Sequence, residues 1–313
     1  MSDRPSFDLG AYVRLARPFT LLAPAAGMIC WGLVAVGAAP ATKLTGFLWG
    51  QMGLGALMAA FMNCASNAVN QIYDREIDAI NKPKRPIPAG DIGVRGAWIF
   101  TVLFYLLGVG TAALINLSTL VIVVFTVFVT YAYSGPPFRT KRWGLLANFT
   151  IAIPRGLLLP VAGWCAVVGS GEFGGKGVDS FEIWYLGAMS GLFILGAATT
   201  KDYADMEGDR AQGCITLPLR YGVRRSAILI SPFLTLPFLA LPLGVAGGIL
   251  TGPGLALSVL GVALCLWGGW VVWLLLRDPG ALTRSSTHPS WAHMYLMMVA
   301  TQVGLALTYV VAG

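Results

Sequence analysis

Long apolar runs follow one another along the whole chain, and short polar stretches separate them. Each run is about 20 residues long, the length of a helix that crosses a bilayer. Nine such helices are predicted, at residues 17–38, 45–73, 95–115, 117–134, 146–169, 181–201, 224–246, 253–276 and 290–311. The predicted fold class is therefore all-α, a polytopic membrane protein.

Composition agrees with this pattern. Of the 313 residues, 56% are hydrophobic and 11% are charged, whereas a soluble domain carries about 25% charged residues. The five cysteines form no C-x-x-C pair and there are two histidines, so neither a disulfide framework nor a zinc site is expected. We predict one transmembrane domain over residues 1–313, with the lipid bilayer as its partner.

The positive charges alternate between the two sides of the predicted bundle. With the N-terminus in the cytoplasm, cytoplasmic segments hold eighteen of the 21 Lys and Arg residues, and the other side holds Lys43 and Lys176. This bias follows the positive-inside rule. It predicts a protein of the inner (cell) membrane with a cytoplasmic N-terminus and the C-terminus on the opposite side. The net charge of +7 then requires no nucleic-acid partner.

An unusual polar stretch, NAVNQIYDREIDAINKPKRPIPAG at residues 67–90, follows the second predicted span. Asn70, Asp74 and Asp78 are spaced i, i+4, i+8, so a continuing helix places them on one stripe. Ionised carboxylates on one stripe repel each other unless a cation lies among them. The stretch is therefore a candidate cation site.

A second acidic stretch, KDYADMEGDR at residues 201–210, follows the sixth predicted span, and Asp202, Asp205 and Asp209 share one helical face. Asp205 and Asp209 lie 131 residues after Asp74 and Asp78. We therefore predict two pseudo-repeated halves, about 17–145 and 146–311, with both motif loops on the cytoplasmic side. Such repeats place a site at their interface. The alternative, two solvated loop faces, leaves the repeated spacing unexplained.

Oxygen ligands without His or Cys suit Mg²⁺. Magnesium is usually shared between one or two carboxylates and substrate phosphates, so the two acidic stretches predict a diphosphate site. Basic side chains on the same side are candidates for the remaining phosphate oxygens, although each also serves as a topology determinant. These candidates are Arg75, Lys84, Arg85, Lys141, Arg142 and Lys201.

Together these residues resemble a known family. Residues 70–78 fit N-x-x-x-D-x-x-x-D and residues 202–209 fit D-x-x-D-x-x-x-D, with NKPKRPIPAG after the first motif and YSGPPFRTKR after the fourth span. Over nearly the full chain this resembles the UbiA superfamily of intramembrane prenyltransferases. The motifs are most similar to the homogentisate and chlorophyll-synthase branches, whereas RPIPAG is closer to chlorophyll synthases and archaeal-type lipid prenyltransferases.

The resemblance implies nine helices around a central cavity that opens sideways to lipid. It also implies Mg²⁺-dependent transfer of a prenyl group from an allylic isoprenoid diphosphate to an aromatic or other hydrophobic acceptor, with release of diphosphate. The product would belong to quinone, tocopherol-like, chlorophyll-type or archaeal-type lipid biosynthesis. The implied metal ligands are Asn70 and the catalytic aspartates Asp74, Asp78, Asp202, Asp205 and Asp209.

Four further residues are candidates for contact with the substrate. Tyr131, Tyr133 and Ser134 lie at the end of the fourth span; ring faces there could stabilise an allylic cation or form an interfacial aromatic belt. Arg155 is the one basic residue inside a predicted span. It could pair with an acceptor carboxylate, a diphosphate oxygen, backbone carbonyls or a motif acid.

A membrane transporter for an anionic substrate is the main alternative, because transporters also have repeats and buried charge. Their sites usually lie near mid-membrane, whereas these charges lie at helix ends. CDP-alcohol phosphotransferases also use aspartates and Mg²⁺, but neither acidic stretch has the D-G and A-R elements of that class. The sequence therefore favours a prenyltransferase.

Overall fold

The computed structural model describes residues 8–39, 43–169, 177–284 and 288–311. Within these ranges, nine helices are long and apolar enough to cross a membrane. We label them α1 to α9: Pro18–Gly37, Gly46–Tyr73, Val94–Ile115, Leu117–Ser134, Gly144–Val168, Phe181–Ala211, Val223–Ala246, Gly254–Arg277 and Pro289–Val311. The number agrees with the prediction, and only α6 runs well past its predicted end. Arg4 and Lys176, which contributed to the charge bias, lie outside the described residues.

Shorter helices connect the spans in the described ranges: Leu9–Ala16, Arg75–Asn81, Thr140–Arg142, Leu217–Tyr221 and Ala281–Arg284. The first is capped by Asp8, whose carboxylate accepts a hydrogen bond from the Gly10 amide at 2.8 Å. Its apolar residues Ala11 and Leu15 pack in one cluster with Ile72 of α2 and with residues after the first motif. The N-terminal helix therefore supports the first motif loop.

The first acidic motif crosses a break between two helices. α2 ends at Tyr73, and Asp74 leaves helical geometry with φ −98° and ψ 8°. The backbone hydrogen bonds nevertheless continue across the break. The Asp74 amide donates to the Asn70 carbonyl oxygen at 2.9 Å, and the Asp78 amide donates to the Asp74 carbonyl oxygen at 2.7 Å. The i, i+4, i+8 stripe is therefore kept across the break.

The second acidic motif lies on the last part of α6. A 3₁₀ turn at Ala198–Lys201 leads into the helical segment Asp202–Ala211. The i, i+3, i+7 spacing of its aspartates directs them to one face of this segment.

The middle of α5 departs from regular α geometry. Ile153–Leu158 form a π-helical segment that contains Pro154 and Arg155, and proline removes a backbone donor from the helix. Gly156 lets this segment approach α6 closely, since a Cβ there would lie 2.5 Å from the Gly191 Cα. The segment therefore packs closely against α6 at Gly156, whereas the neighbouring Arg155 is exposed.

Large apolar side chains cover the outside of the bundle. Leu106, Leu114 and Leu266 expose 66%, 73% and 72% of their surfaces. A soluble monomer does not expose apolar surface on this scale, whereas a bilayer solvates it. The protein is thus an all-α integral membrane protein, as the sequence predicts.

Candidate active site

Asn81 joins the two acidic motifs. Its side-chain amide donates to the Asp205 carbonyl oxygen at 2.9 Å, and its Oδ1 accepts from the Gly208 amide at 3.0 Å. A Cβ at Gly208 would lie 2.5 Å from Asn81 Nδ2, so glycine permits this close contact. Two segments more than 120 residues apart in the sequence are thereby held against each other.

A polar pocket of about 60 Å³ lies where the motifs meet. All five motif aspartates line it, together with basic and amide side chains from both halves of the chain. Its polar lining is Asn70, Asp74, Asp78, Lys82, Arg85, Tyr133, Lys141, Asn148, Lys201, Asp202, Asp205, Asp209 and Thr216.

Basic side chains neutralise two of these carboxylates. Lys82 Nζ lies 2.5 Å from Asp205 Oδ2, and Arg85 donates to Asp78 Oδ2 at 2.6 Å. The Asp78 side chain is 3% exposed, and this burial raises the pKa of its carboxyl, with Arg85 opposing the shift. The pairs compensate charges that would otherwise be costly to bury together.

Asp74 is held from two directions. Lys141 forms an ion pair with Asp74 Oδ1, and Asn70 donates to Asp74 Oδ2 at 2.8 Å. Both partners of the ion pair are buried. Lys141 comes from the connection between α4 and α5, so this contact brings a third segment to the pocket.

Lys201 lies between the polar pocket and a larger apolar cavity. Its ammonium donates to the Tyr133 hydroxyl at 2.6 Å and lies 5.1 Å from the centre of that ring. Lys201 lines both the pocket and the cavity. The two spaces are therefore adjacent.

The apolar cavity has a volume of about 290 Å³ and lies inside the bundle. Its wall comes mainly from α1, α2, α4, α5, α6 and α9, and includes Met58, Met62 and Ile122. Near its α9 side, Phe19 and Tyr295 stack with their ring centres 5.0 Å apart. A polar pocket beside a long apolar cavity suits a substrate with a charged head and a hydrocarbon tail.

Most predicted site residues meet in the polar pocket. Besides the five aspartates these are Asn70, Arg85, Tyr133, Lys141 and Lys201. Arg155 instead lines the apolar cavity.

Five predicted residues line neither the polar pocket nor the apolar cavity in the described structure. Arg75 and Lys84 are exposed, and Arg142 is half-buried. The Tyr131 hydroxyl hydrogen-bonds to Tyr73 at 3.2 Å. Ser134 is buried behind Asn70, with its hydroxyl 3.5 Å from Asn70 Nδ2.

Sequence reasoning missed Lys82, Asn81, Asn148 and Thr216. Lys82 could have been predicted from the sequence, since it continues the four-residue spacing of Asn70, Asp74 and Asp78. Asn148 and Thr216 could not, because their positions in the pocket depend on how distant segments pack.

The residues of the pocket fit magnesium. Among the described residues, five aspartates line the pocket, and neither His nor Cys does. Carboxylate oxygens are donors that suit Mg²⁺, which usually takes one or two carboxylates and fills its remaining positions with water and substrate phosphate.

Comparison with known proteins identifies the family of the chain. The UbiA prenyltransferase family model matches residues 25–296. The chain is 31% identical to digeranylgeranylglyceryl phosphate synthase of Methanococcus aeolicus, over 94% of this chain and 96% of the relative. It is 31% identical to the bacteriochlorophyll synthase 34 kDa chain of Chloroflexus aurantiacus, over 70% and 66% of the two chains.

A solved structure has the same fold. It is a UbiA homologue from Archaeoglobus fulgidus bound to GPP and Mg²⁺, with a TM-score of 0.69 and 18% identity over 96% of this chain and 99% of that chain. The family match and the fold lead to one conclusion: the chain belongs to the UbiA prenyltransferase family and is a membrane-embedded transferase of prenyl groups.

Proposed function

We propose that the protein transfers a prenyl group, in the presence of Mg²⁺, from an allylic isoprenoid diphosphate to an acceptor of a quinone, tocopherol-like, chlorophyll-type or archaeal-type lipid pathway. The observation that carries this proposal is the meeting of both acidic motifs in one pocket beside an apolar cavity. The diphosphate lies in the pocket and the hydrocarbon tail in the cavity.

The basic residues of the pocket bind the diphosphate. Lys82, Arg85 and Lys141 already lie against carboxylates, so they can turn to phosphate oxygens when the carboxylates take a cation. Lys201 stands at the boundary with the cavity, where the bond between the prenyl carbon and the phosphate oxygen breaks. Charge-assisted hydrogen bonds from these groups stabilise the leaving diphosphate.

Asn70, Asp74, Asp78, Asp202, Asp205 and Asp209 are the proposed metal-binding residues. When bound, Mg²⁺ supplies positive charge that neutralises the diphosphate and favours its departure. The homologue from Archaeoglobus fulgidus is bound to GPP and Mg²⁺, which supports a role for Mg²⁺ in this proposal. Arg75, Lys84 and Arg142 lie outside the pocket and take no part in this binding.

Loss of diphosphate leaves an allylic cation at the boundary of pocket and cavity. The electron pair of the broken C–O bond leaves with the diphosphate, an electron-rich atom of the acceptor forms the new bond to carbon, and the proton that the acceptor then loses passes to the released diphosphate. Apolar walls exclude water from the cation. The Tyr133 ring can stabilise it by up to about 2 kcal/mol, whereas Tyr131 lies outside the pocket against Tyr73.

The proposed topology follows from the charge bias. We infer that the motif loops face the cytoplasm, together with the N-terminus, and that the C-terminus lies on the opposite side of the cell membrane. The odd number of spans in the described chain separates the two ends in this way. The acidic motifs also give the pseudo-repeat of two halves, with the pocket at their interface.

Aspartate variants test the proposal directly. Asp74→Asn and Asp205→Asn should each lower prenyl transfer about 100-fold or more, because each removes a carboxylate that is proposed to hold the Mg²⁺ on which the diphosphate depends. The assay uses proteoliposomes, labelled geranyl or geranylgeranyl diphosphate, Mg²⁺ and a panel of acceptors. Asp91→Asn is the matched control, since Asp91 is partly exposed and pairs with Arg14.

Two results would contradict the proposal. One is wild-type turnover in both pocket variants. The other is uptake of label into the vesicle without a covalent product, which would indicate transport. Chelation with EDTA followed by addition of Mg²⁺ should remove and then restore turnover.

A further inference from the structure

The five aspartates of the polar pocket differ in how their charge is compensated. In the described part of the chain, three of them are paired with a basic side chain: Asp74 with Lys141, Asp78 with Arg85 and Asp205 with Lys82. Asp202 and Asp209 form no ion pair with any described residue, although they are only 8% and 7% exposed. Burial of ionised carboxylates without a cation is costly. Asp202 and Asp209 therefore require a positive charge that the described chain does not place against them.

The basic side chains that attract these two carboxylates are held by other groups. Lys141 and Lys201 act electrostatically on both Asp202 and Asp209. Lys141, however, is ion-paired with the first motif, and the Lys201 ammonium donates to the Tyr133 hydroxyl at 2.6 Å. Asp202 and Asp209 also repel each other. A cation that contacts both carboxylates would remove this repulsion.

Asn148 of α5 presents one free oxygen to the same pocket. Its side-chain nitrogen donates to the Leu195 carbonyl oxygen at 3.1 Å and to the Thr199 hydroxyl at 2.6 Å. Because the carbonyl oxygen can only accept, these two contacts fix the orientation of the amide and use both of its hydrogens. The remaining group, Asn148 Oδ1, can only accept a hydrogen bond or ligate a cation. An ionised phosphate oxygen is therefore excluded as its partner.

Thr216 brings a second neutral oxygen to the pocket from the segment that follows the second motif. The residue is 4% exposed, and its Oγ1 is buried without a hydrogen-bond partner. The backbone holds this segment in place, since the Cys214 amide donates to the Asp209 carbonyl oxygen at 2.9 Å and the Ile215 amide to the Arg142 carbonyl oxygen at 2.8 Å. A buried hydroxyl without a partner costs free energy, and a water molecule on a metal ion would satisfy it.

We propose that Asp202, Asp209, Asn148 and Thr216 form a site that binds one divalent cation, Mg²⁺ in the cell, before the prenyl diphosphate arrives. The two carboxylates ligate the cation, and the two neutral oxygens accept hydrogen bonds from the water that Mg²⁺ keeps. The pocket volume of about 60 Å³ accommodates roughly four water-sized groups.

This proposal rests on the proposed function and adds two residues and an order of binding to it. The other three aspartates keep their lysine and arginine partners until a diphosphate draws these basic side chains to its own oxygens. A second cation then enters together with the substrate. The two cations are thus unequal: one binds to the protein alone, and the other depends on the diphosphate.

The first test counts cations without the substrate. Mn²⁺ prefers the same oxygen ligands as Mg²⁺ and is followed by the electron paramagnetic resonance signal of the free ion, with the full chain in detergent and Mg²⁺ as competitor. We expect one Mn²⁺ per chain in the absence of diphosphate. Geranyl S-thiolodiphosphate, in which sulfur replaces the oxygen of the scissile bond, should raise the number to two. No binding without the analogue, or two equal sites without it, would overturn the order.

The second test assigns the site to its neutral oxygens. Asn148→Leu and Thr216→Val should each weaken the binding of the first Mn²⁺ about tenfold, the usual effect of removing a group that orients the ligands of a metal. Asn116→Leu is the matched control, because Asn116 also donates to a backbone carbonyl oxygen, at 2.8 Å, but lies outside the pocket. It should lower the thermal midpoint and keep the wild-type affinity for Mn²⁺.

The conservative variant Thr216→Ser separates a lost hydroxyl from a change of packing, since it keeps the hydroxyl and should retain wild-type affinity. The pair Thr216→Val and Thr216→Ser decides the assignment if Asn148→Leu does not fold. Wild-type affinity for the first Mn²⁺ in Thr216→Val would overturn the role of Thr216, and the same result in Asn148→Leu would overturn that of Asn148.

A failure of the proposed function gives a different result. If one Mn²⁺ binds to the protein alone, but the analogue adds no second ion and no acceptor yields a product, the cation site stands and the diphosphate site is wrong. If labelled geranylgeranyl diphosphate yields a product while Mn²⁺ binds only together with the analogue, the proposed function stands and the order of binding is wrong.

Discussion

Asn81 offers the sharpest test of how the two motifs work together. It accepts one hydrogen bond from the second motif and donates another to it, at 3.0 and 2.9 Å. Each such bond contributes about 1 kcal/mol net, so Asn81→Ala should weaken the docking of the motifs by about 2 kcal/mol. If the docked arrangement is the active one, this corresponds to about a 30-fold loss in kcat/KM for prenyl diphosphate.

Asn116 provides a matched control on the other side of the bundle. It also makes two hydrogen bonds: it donates to the Cys165 carbonyl oxygen of α5 at 2.8 Å, and as the N-cap of α4 it accepts from the Thr119 amide at 2.9 Å. Asn116→Ala should therefore lower the thermal midpoint by a similar amount and leave kcat/KM unchanged. The assay is steady-state prenyl transfer beside thermal unfolding in detergent. Equal kinetic losses in the two variants would refute the reasoning, because activity would then follow general stability.

Three further substitutions test other parts of the structure. Lys82→Met should raise the KM for prenyl diphosphate about tenfold, whereas Lys84→Met should not change it; equal effects would contradict the pocket. Tyr133→Phe should lower kcat several-fold through loss of the Lys201 contact, measured beside Tyr131→Phe, which should keep wild-type kcat. The buried Glu182 carboxylate accepts a hydrogen bond from the Tyr309 hydroxyl at 2.5 Å, and Glu182→Gln should weaken this contact. It should cost about 2 kcal/mol of unfolding free energy, seen as a lower thermal midpoint with unchanged KM; an unchanged midpoint would contradict it.

Hydropathy predicted the membrane spans well because bilayer thickness imposes a fixed apolar length. The exception is α6, which continues to Ala211. Its last turns carry four acids and two basic residues from Lys201 to Arg210, so a hydropathy rule ends the helix at Lys201. Contacts with the first motif, through Asn81, stabilise helical turns that are too polar to be counted as span.

The pairing of charges within the pocket could not be read from the sequence. Spacing identified the aspartates because helical periodicity is local. The partner of Asp74 is Lys141, far along the chain, and that choice depends on how the α4–α5 connection folds over the motifs. Arg75 is adjacent to Asp74 in sequence, yet it points to solvent beside Glu76, since neighbouring helix positions face different directions.

The apolar cavity could not be predicted from hydropathy. Met58 and Met62 line the cavity while Leu57 of the same helix is 46% exposed on the outside, and all three have the same apolar character. Lipid is as apolar as a protein interior, so no polarity difference separates the two faces of a span. A charged residue does distinguish the two faces of a span, because the hydrocarbon of the bilayer excludes it. Arg155 could therefore be recognised from the sequence as a residue facing inward, and the structure places it in the wall of the apolar cavity.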